Sequence, residues 1–286
     1  MEYWLTYSEY KRRKIVRRKE KVYLFKLKII LRMEKCIAKR YTGKVAIITA
    51  STQGIGLCIA ERLGTEGASV VISSRKKKNV DEAVEKLKSK GINVLGVVCH
   101  VANAEQRKYM IDQTIQEFGK IDVIVSNAAV NPTPDSILNT QESALDKLWE
   151  VNLKAPVLLI QEAAPHLTKR SAIIFISSIT AYKPMPLMGM YGVTKTALHG
   201  LTKALATELA PDTRVNCIAP GYIPTHFAGI ITNSDPIRQM FEEEVLLDRF
   251  GSTHDIADAA AFLASYEASY ITGETLVVAG GMNPRL

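Results

Sequence analysis

From Gly43 onward, the chain alternates short apolar runs rich in β-branched residues with longer segments of mixed polarity. Intervening segments such as 79–90 and 104–119 carry apolar residues at helical spacing. Continuous apolar strands separated by amphipathic helices are typical of a parallel sheet covered on both faces. The pattern therefore predicts a single-domain α/β fold of the doubly wound, Rossmann-like class, with seven parallel strands and helices on both faces. The predicted strands are 44–50, 68–74, 93–101, 121–129, 172–178, 214–221 and 275–281.

The first 40 residues do not follow this pattern. They contain 14 Lys and Arg but only 4 Asp and Glu, so the overall net charge of +8 originates there. Their apolar stretch, 22–31, is too short and too charged to predict a membrane span. We interpret residues 1–40 as a disordered basic extension, with an amphipathic targeting or membrane-surface helix as the alternative, and residues 41–286 as the domain. Such basic runs are generally solvated tails, so we predict no nucleic-acid partner.

Several other chemistries find little support. The four cysteines are widely spaced and form no C-x-x-C pair, which disfavours a zinc site or a disulfide framework. His226 and His254 have no partner at metal-ligand spacing, so no metal is predicted. A serine hydrolase is disfavoured because the chain has no G-x-S-x-G motif.

The segment 49-TASTQGIG-56 follows the first predicted strand and begins a helix. Gly54 and Gly56 allow the backbone to approach a pyrophosphate, which a helix N-terminus attracts. In this context the segment predicts a dinucleotide-binding turn, with a plain strand–helix turn as the alternative. Ala50 occupies a position at which such turns usually have glycine. We expect a negative φ at Ala50, where a Cβ atom is harmless.

The end of the second predicted strand indicates which dinucleotide binds. In NAD-binding folds an acidic residue there bonds the ribose 2′-hydroxyl, whereas an arginine accommodates a 2′-phosphate. Here Ser74 and Arg75 occupy this place, and three lysines follow. A guanidinium binds phosphate in a forked geometry, and a hydroxyl adds a hydrogen bond. We therefore predict NADP(H) rather than NAD(H).

A second group of polar residues predicts acid/base chemistry. Tyr191 and Lys195 are four positions apart and share one face of a predicted helix. An ammonium beside a phenol favours the phenolate, so we expect a lowered pKa for Tyr191. Ser178 and Asn127 lie at the ends of predicted strands, and Asn152 lies in a helical stretch. Each of these three residues alone is typical of a structural role.

Taken together, these features resemble the short-chain dehydrogenase/reductase family over residues 43–286. The chain is similar to the tropinone-reductase-like branch and to peroxisomal NADPH-dependent carbonyl reductases of that lineage. His100 stands where many members have Asp, so a charged contact with adenine is not expected. The residues that carry the family resemblance are 49-TASTQGIG-56, 127-NAA-129, Asn152, Ser178, Tyr191, Lys195 and 220-PG-221.

The resemblance implies an oxidoreductase that interconverts a carbonyl compound and an alcohol. Tyr191 would exchange a proton with the carbonyl oxygen and Ser178 would hydrogen-bond it, so both would contact the substrate. Lys195 would lower the pKa of Tyr191 and bind the nicotinamide ribose, and Asn152 would hold a relay water. The implied cofactor-binding residues are Ser51, Thr52, Gly54, Ile55, Gly56, Ser74, Arg75, His100, Val101, Asn127, Ala128, Tyr191, Lys195, Ile223 and Thr225.

Other functions stay open at this point. A 3-oxoacyl thioester reductase would use the same four catalytic residues, and a non-catalytic NADP(H)-binding scaffold or sensor could have the same fold. The apolar segments 179–190 and 222–236 predict a hydrophobic or aromatic substrate, with core packing of their methionines as the alternative. The resemblance also implies a homotetramer or homodimer. The final residues Pro-Arg-Leu depart from a Ser-Lys-Leu peroxisomal signal, so both cytoplasmic and peroxisomal locations are expected possibilities.

Overall fold

The computed structural model describes residues 39–225 and 242–282. The predictions for the N-terminal extension, for His226 and for the C-terminal tripeptide lie outside these residues. One seven-stranded sheet runs through the described part, and every pair of neighbouring strands is parallel. Its strands are β1 Val45–Ile48, β2 Ser69–Ser74, β3 Val94–Val98, β4 Ile121–Ser126, β5 Leu167–Ile176, β6 Thr213–Pro220 and β7 Thr275–Val278.

Helices connect these strands, as the sequence pattern predicts. A single π-helical turn, Glu150–Lys154, joins α4 to α5, and short 3-10 turns occupy Ile137–Asn139, Ala164–His166, Ile179–Ala181 and Tyr266–Ala268. Over the residues that the structure describes, no helix combines the length and apolarity needed to span a bilayer. The α-helices are α1 Gly54–Thr65, α2 Lys77–Lys88, α3 Ala104–Phe118, α4 Glu142–Trp149, α5 Ala155–Ala163, α6 Gly189–Glu208 and α7 Thr253–Ala264.

The sheet order, β3-β2-β1-β4-β5-β6-β7, confirms the doubly wound class. The chain winds outward in one direction from β1 through β3 and in the other from β4 through β7. The order therefore reverses between β1 and β4. In such sheets, ligands bind at the carboxyl ends of the strands beside this reversal.

Both faces of the sheet are covered, which explains why its strands read as unbroken apolar runs. Ala46 and Ile48 of β1 pack in a buried cluster with residues of α1, α2 and α7. Ile47, between them, packs in a second cluster with residues of α3, α5 and α6. Strand β5 begins at Leu167, five residues before its predicted start, because Leu167 pairs with Ile121 of β4. The polar residues 168–171 interrupt the apolar run, so the sequence pattern did not predict this part of the strand.

The expectation of a negative φ at Ala50 is wrong, because its φ is +50°. The turn requires this left-handed conformation for two reasons. The backbone N–H of Ser51 must donate to the Ser73 carbonyl of β2, at 2.9 Å. The Ala50 carbonyl must also face the Asn127 side chain, whose Nδ2 lies 3.0 Å away. The Cβ atom of Ala50 therefore introduces strain that glycine would avoid.

Replacing Ala50 tests this strain. Because a left-handed L-residue costs roughly 1–2 kcal/mol and glycine adds unfolded-state entropy, Ala50→Gly should raise the free energy of unfolding by up to about 1 kcal/mol. Ala50→Val should lower it by about 1–3 kcal/mol. Urea-unfolding curves measure both changes. Ala204→Gly, at an exposed position in α6, is the control, and its free energy of unfolding should fall by about 1 kcal/mol. Equal losses for Ala50→Gly and Ala204→Gly would contradict the left-handed turn.

Candidate active site

A cleft of about 570 Å³ opens at the carboxyl ends of β1 to β4, where the strand order reverses. Its walls are the turn after β1, the ends of β2 and β3, the loop after β4, and one side of α4 and the π-helical turn. Among residues 39–225 and 242–282, three cationic side chains line it, those of Arg75, Lys76 and Lys147, and no carboxylate does. Of the predicted cofactor-binding residues, those lining the cleft are Thr52, Ser74, Arg75, His100, Val101 and Ala128.

The turn after β1 is held against the end of β4 by side-chain hydrogen bonds. The Asn127 side-chain amide donates to the carbonyls of Thr49 and Ala50, both at 3.0 Å. The backbone N–H of Asn127 donates to Thr49 Oγ1 at 2.9 Å. A Cβ atom on Gly56 would lie 2.6 Å from both the Ala50 carbonyl oxygen and Asn127 Nδ2. Gly56 is therefore required by this close contact, whereas Gly54 adopts a positive φ of 56°.

Other predicted cofactor-binding residues support the turn from within the protein. Ser51 is fully buried, and its hydroxyl donates to the Ile48 carbonyl at 2.6 Å and accepts from Ser73 N at 3.1 Å. Ile55 and Ile223 pack with the cluster beneath α1 and α7. Thr225 lies beside Gly54, since a Cβ atom there would be 3.4 Å from Thr225 Cγ2. The structure thus brings Thr225 to the turn and places Ser51 in the core.

Ser178 and Tyr191 meet beyond the end of β5. Ser178 follows the strand and caps a 3-10 turn, where its Oγ accepts from the Thr180 backbone N–H at 3.2 Å and from Thr180 Oγ1 at 2.9 Å. With both acceptor positions used, the hydroxyl hydrogen of Ser178 is left to be donated. A hydrogen bond with Ser178 favours the phenolate of Tyr191. Thr180, which sequence reasoning missed, therefore orients the serine.

Tyr191 and Lys195 lie on the same face of α6, as predicted, and both are almost completely buried. Lys195 Nζ donates to the Ile176 carbonyl at 2.8 Å and lies 5.6 Å from the centroid of the Tyr191 ring. Burial lowers the pKa of Lys195 to about 8. Burial raises the pKa of Tyr191 above its ordinary value, and the Ser178 hydrogen bond opposes this only in part.

The expectation of a lowered pKa for Tyr191 is therefore wrong in this structure. The phenolate would lose its hydration in the buried site, which outweighs the neighbouring hydrogen bond. Lys195, whose Nζ lies 5.6 Å from the centroid of the Tyr191 ring, does not offset this effect of burial. Tyr191 is thus held as the protonated phenol, a form that can donate a proton.

The Asn152 side chain makes three hydrogen bonds within the protein, and its role in holding a relay water stays a prediction. Its Oδ1 accepts from Val130 N at 2.8 Å, and its Nδ2 donates to the Val130 carbonyl at 2.9 Å and to Thr194 Oγ1 at 3.1 Å. Thr194 in turn donates to the Tyr191 carbonyl at 2.8 Å. Asn152 lies in the π-helical turn, a feature that is frequent at functional sites. Its side chain therefore positions the helix that carries Tyr191.

Arg107 supports the segment after β3, a role that the sequence analysis did not predict. Its side chain is only 2% exposed; it donates to the Val101 carbonyl at 2.7 Å and pairs with Glu162 at 2.8 Å. This arginine fixes the segment after β3 from beneath the cleft. An arginine in an amphipathic helix usually indicates an exposed face, so the sequence offered no signal for its burial.

Residues 226–236 of the predicted substrate segment lie outside the described residues, and the following contacts concern Met185, Tyr222 and His254. Met185 packs with buried Tyr222 and Phe250, and its sulfur accepts a hydrogen bond from Tyr222 Oη at 3.8 Å. These contacts favour core packing for Met185 and Tyr222. His254 Nδ1 lies 3.3 Å from Cys58 Sγ. Within residues 39–225 and 242–282, no three His, Cys, Asp or Glu side chains are grouped so that they could hold a metal ion.

Ser178, Tyr191 and Lys195 are not among the residues that line the cleft. The sheet order, the cleft at the point where it reverses, and the group of these three residues beyond the end of β5 are together typical of nucleotide-dependent oxidoreductases. A family model described as enoyl-(acyl carrier protein) reductase matches residues 49–283. Tropinone reductase-like 3 from Erythroxylum coca is 66% identical over 253 residues, covering 88% of this chain and 98% of that protein. Dehydrogenase/reductase SDR family member 4 from Sus scrofa is 47% identical, covering 87% and 90%.

Solved structures agree with these relatives. A short-chain dehydrogenase/reductase from Brucella melitensis matches with a TM-score of 0.81 and 28% identity, covering 85% of this chain and 98% of that one. A short chain dehydrogenase from Burkholderia cenocepacia in complex with NADP matches with a TM-score of 0.79 and 28% identity, covering 85% and 99%. The chain belongs to the short-chain dehydrogenase/reductase family and is an oxidoreductase.

The burial of Lys195 predicts a specific pH dependence of stability. Its folded pKa of about 8 lies below the ordinary value of 10.5, so at pH 9 the unfolded chain keeps a proton that the folded chain has lost. Stability must therefore rise with pH in this window. Relative to Lys195→Met, the wild-type free energy of unfolding should increase by about 2 kcal/mol between pH 7 and pH 9.5.

Urea unfolding at several pH values measures this difference. Lys203→Met removes an exposed charge from the same helix and serves as the control. If the free energy of unfolding changes with pH equally in wild-type protein and in Lys195→Met, the pKa of Lys195 is not lowered by burial.

Proposed function

We propose that the protein is an NADPH-dependent carbonyl reductase that converts a ketone or aldehyde into an alcohol, and the reverse. The observation that carries this proposal is the pairing of two hydroxyl donors beside the cleft. Ser178 Oγ accepts two hydrogen bonds from Thr180, so its own hydrogen can only be donated, and Tyr191 is held as a protonated phenol. A bound carbonyl oxygen would replace the hydrogen bond that now joins the two hydroxyl groups. Two such donors can bind a single carbonyl oxygen and stabilise the negative charge that develops on it during reduction.

The charges of the cleft support NADP(H) as the cofactor. A 2′-phosphate at the end of β2 would meet Arg75, Lys76 and the Ser74 hydroxyl, with no carboxylate lining the cleft to repel it. A solved neighbour from Burkholderia cenocepacia is in complex with NADP, and another, a blue fluorescent protein from a metagenomic library, is in complex with NADPH. Bound NADPH supplies the hydride, while the protein supplies orientation and the proton.

The protonated phenol of Tyr191 is compatible with carbonyl reduction. Reduction requires an acid that donates a proton to the substrate oxygen as negative charge develops there. Tyr191 carries such a proton at neutral pH, and a positively charged neighbour would have to offset the burial that raises its pKa. Lys195 Nζ, fixed by the Ile176 carbonyl 5.6 Å from the centroid of the Tyr191 ring, is the candidate for this role and for binding the nicotinamide ribose.

The alternatives make different predictions. A 3-oxoacyl thioester reductase would use the same side chains, and the description of the matching family model, enoyl-(acyl carrier protein) reductase, is a reason to test acyl thioesters. A non-catalytic scaffold would bind NADPH without oxidising it.

NADPH oxidation should be followed over a panel of apolar ketones, aromatic aldehydes and a 3-oxoacyl thioester. Ketone or aldehyde turnover supports the proposal, preference for the thioester favours the second function, and binding without any turnover favours a scaffold.

Tyr191→Phe tests the role of the phenol. Because only the hydroxyl is removed, NADPH affinity should change by less than about threefold, whereas kcat with the best carbonyl substrate should fall by about 10²–10⁴-fold, the usual contribution of a positioned acid. Calorimetric titration and NADPH oxidation measure the two quantities. Tyr109→Phe, at an exposed position in α3, is the control. Retained turnover in Tyr191→Phe would contradict the assignment of Tyr191 as the acid.

Arg75 tests the choice of cofactor. A charge-assisted contact with the 2′-phosphate contributes roughly 1.5–3 kcal/mol, so Arg75→Ala should weaken NADPH binding about 10- to 100-fold. NADH binding should stay within about threefold, because NADH lacks this phosphate. Lys78→Ala is the matched control, since Lys78 does not line the cleft and lies 3.8 Å from Glu82. Equal losses for NADPH and NADH would show that Arg75 does not contact the 2′-phosphate.

A further inference from the structure

The residue before Ser178 joins two parts of the candidate site. Ser177 follows β5 directly and is buried. Its Oγ lies 2.9 Å from the Lys195 carbonyl oxygen and 3.0 Å from Nε2 of His199. Both of these partners belong to α6, the helix that carries Tyr191. The side chain of Ser177 therefore connects the strand end that leads into Ser178 with the helix that carries the phenol.

The direction of these two hydrogen bonds follows from the groups involved. A serine hydroxyl has one hydrogen and a backbone carbonyl oxygen can only accept, so Ser177 donates to the Lys195 carbonyl. The Ser177 oxygen then accepts from His199, whose Nε2 must carry the proton. Burial lowers the pKa of His199 below its ordinary value of 6.5, and the charge of Lys203 lowers it further. The ring is therefore neutral at pH 8, and its single N–H is directed at Ser177.

His199 also contacts the far side of the turn that Ser178 caps. This 3-10 turn is Ile179–Ala181, and Tyr182 is the first residue after it. The imidazole of His199 packs on the Tyr182 ring, with 4.7 Å between the ring centroids and 34° between the ring planes. One side chain of α6 thus contacts the residue before Ser178 and the residue that follows its turn.

We propose that His199 is a positioning residue, which holds Ser178 at the distance from Tyr191 that carbonyl reduction requires. His199 and Tyr191 are eight residues apart on the same helix, so a contact made by one is in fixed register with the other. Thr180 orients the Ser178 hydroxyl, whereas His199 fixes the backbone on both sides of it. A displacement of roughly 1 Å at a reacting group can lower a rate about 100-fold, so this support affects turnover.

This inference rests on the proposed carbonyl reduction, and substitutions of His199 test it. His199→Leu keeps an apolar side chain at this position but removes the N–H donor. The kcat for the best carbonyl substrate should fall about 10- to 100-fold, while KM and the NADPH dissociation constant change by less than about threefold. His199→Gln should recover most of kcat, because its side-chain amide again offers an N–H to Ser177. Lys203→Leu, exposed one turn further along α6, is the control and should keep kcat within about twofold.

The Ser178→Ala background separates positioning from a general structural effect. The residual turnover of Ser178→Ala no longer depends on where the serine hydroxyl lies. In this background His199→Leu should change kcat by less than about twofold, because two substitutions that act through one group are not additive. A general structural defect would lower kcat by the same factor in both backgrounds.

Steady-state NADPH oxidation at pH 8 measures these constants, with more enzyme for the Ser178→Ala variants. The inference is overturned if His199→Leu keeps the wild-type kcat, if His199→Gln is as slow as His199→Leu, or if the loss is equal in the Ser178→Ala background. Ser177→Ala removes the acceptor by a smaller change and should give the same losses, so it decides the point if His199→Leu does not fold. Wild-type protein that reduces no carbonyl compound with NADPH would instead overturn the proposed function, so the two failures are distinguishable.

Discussion

The arrangement of the site depends on one buried amide, that of Asn152. Its three hydrogen bonds join the loop after β4, the π-helical turn and α6, elements that are distant in the sequence. Both polar groups of the Val130 backbone are satisfied by this side chain. Without it they would be left unpaired in the interior, which is costly for buried polar groups. Because Thr194 passes the connection on to Tyr191, the catalytic helix and the wall of the cleft are held as one unit.

Side-chain hydrogen bonds also hold the other half of the cleft in place. Asn127 holds the turn after β1, Arg107 holds the carbonyl of Val101, and the two strand ends between them carry cationic and polar groups that line the cleft. Arg107 is buried and Asn127 is half-buried, and neither is among the residues that line the cleft. Their hydrogen bonds hold the cleft-lining segments in fixed positions, which favours binding of a ligand in one orientation.

Much of this organisation could be predicted from the sequence, for identifiable reasons. Strands buried on both faces appear as unbroken apolar runs, and a doubly wound sheet places their ends at one edge, so Ser178, Arg75 and His100 could be assigned to the site region before the structure. The conformation of Ala50 could not, because it is imposed by partners on β2 and β4. Likewise, the pKa of Tyr191 depends on the depth of burial, and the hydrogen bonds of Asn152 depend on contacts across the fold. Spacing along the chain reports neither quantity.

The central claim is that the cleft and the Ser178–Tyr191 pair act together in hydride transfer to a carbonyl carbon. NADPH carrying deuterium at the transferred position of C4 tests it directly, with the best ketone of the panel as substrate and mass spectrometry of the alcohol. The account predicts one deuterium on the carbinol carbon of each product molecule, and formation of this labelled alcohol about 10²–10⁴-fold more slowly when Tyr191 is replaced by phenylalanine. Alcohol that forms without deuterium at this carbon, or NADPH that is bound but never oxidised by any carbonyl compound, would contradict the account.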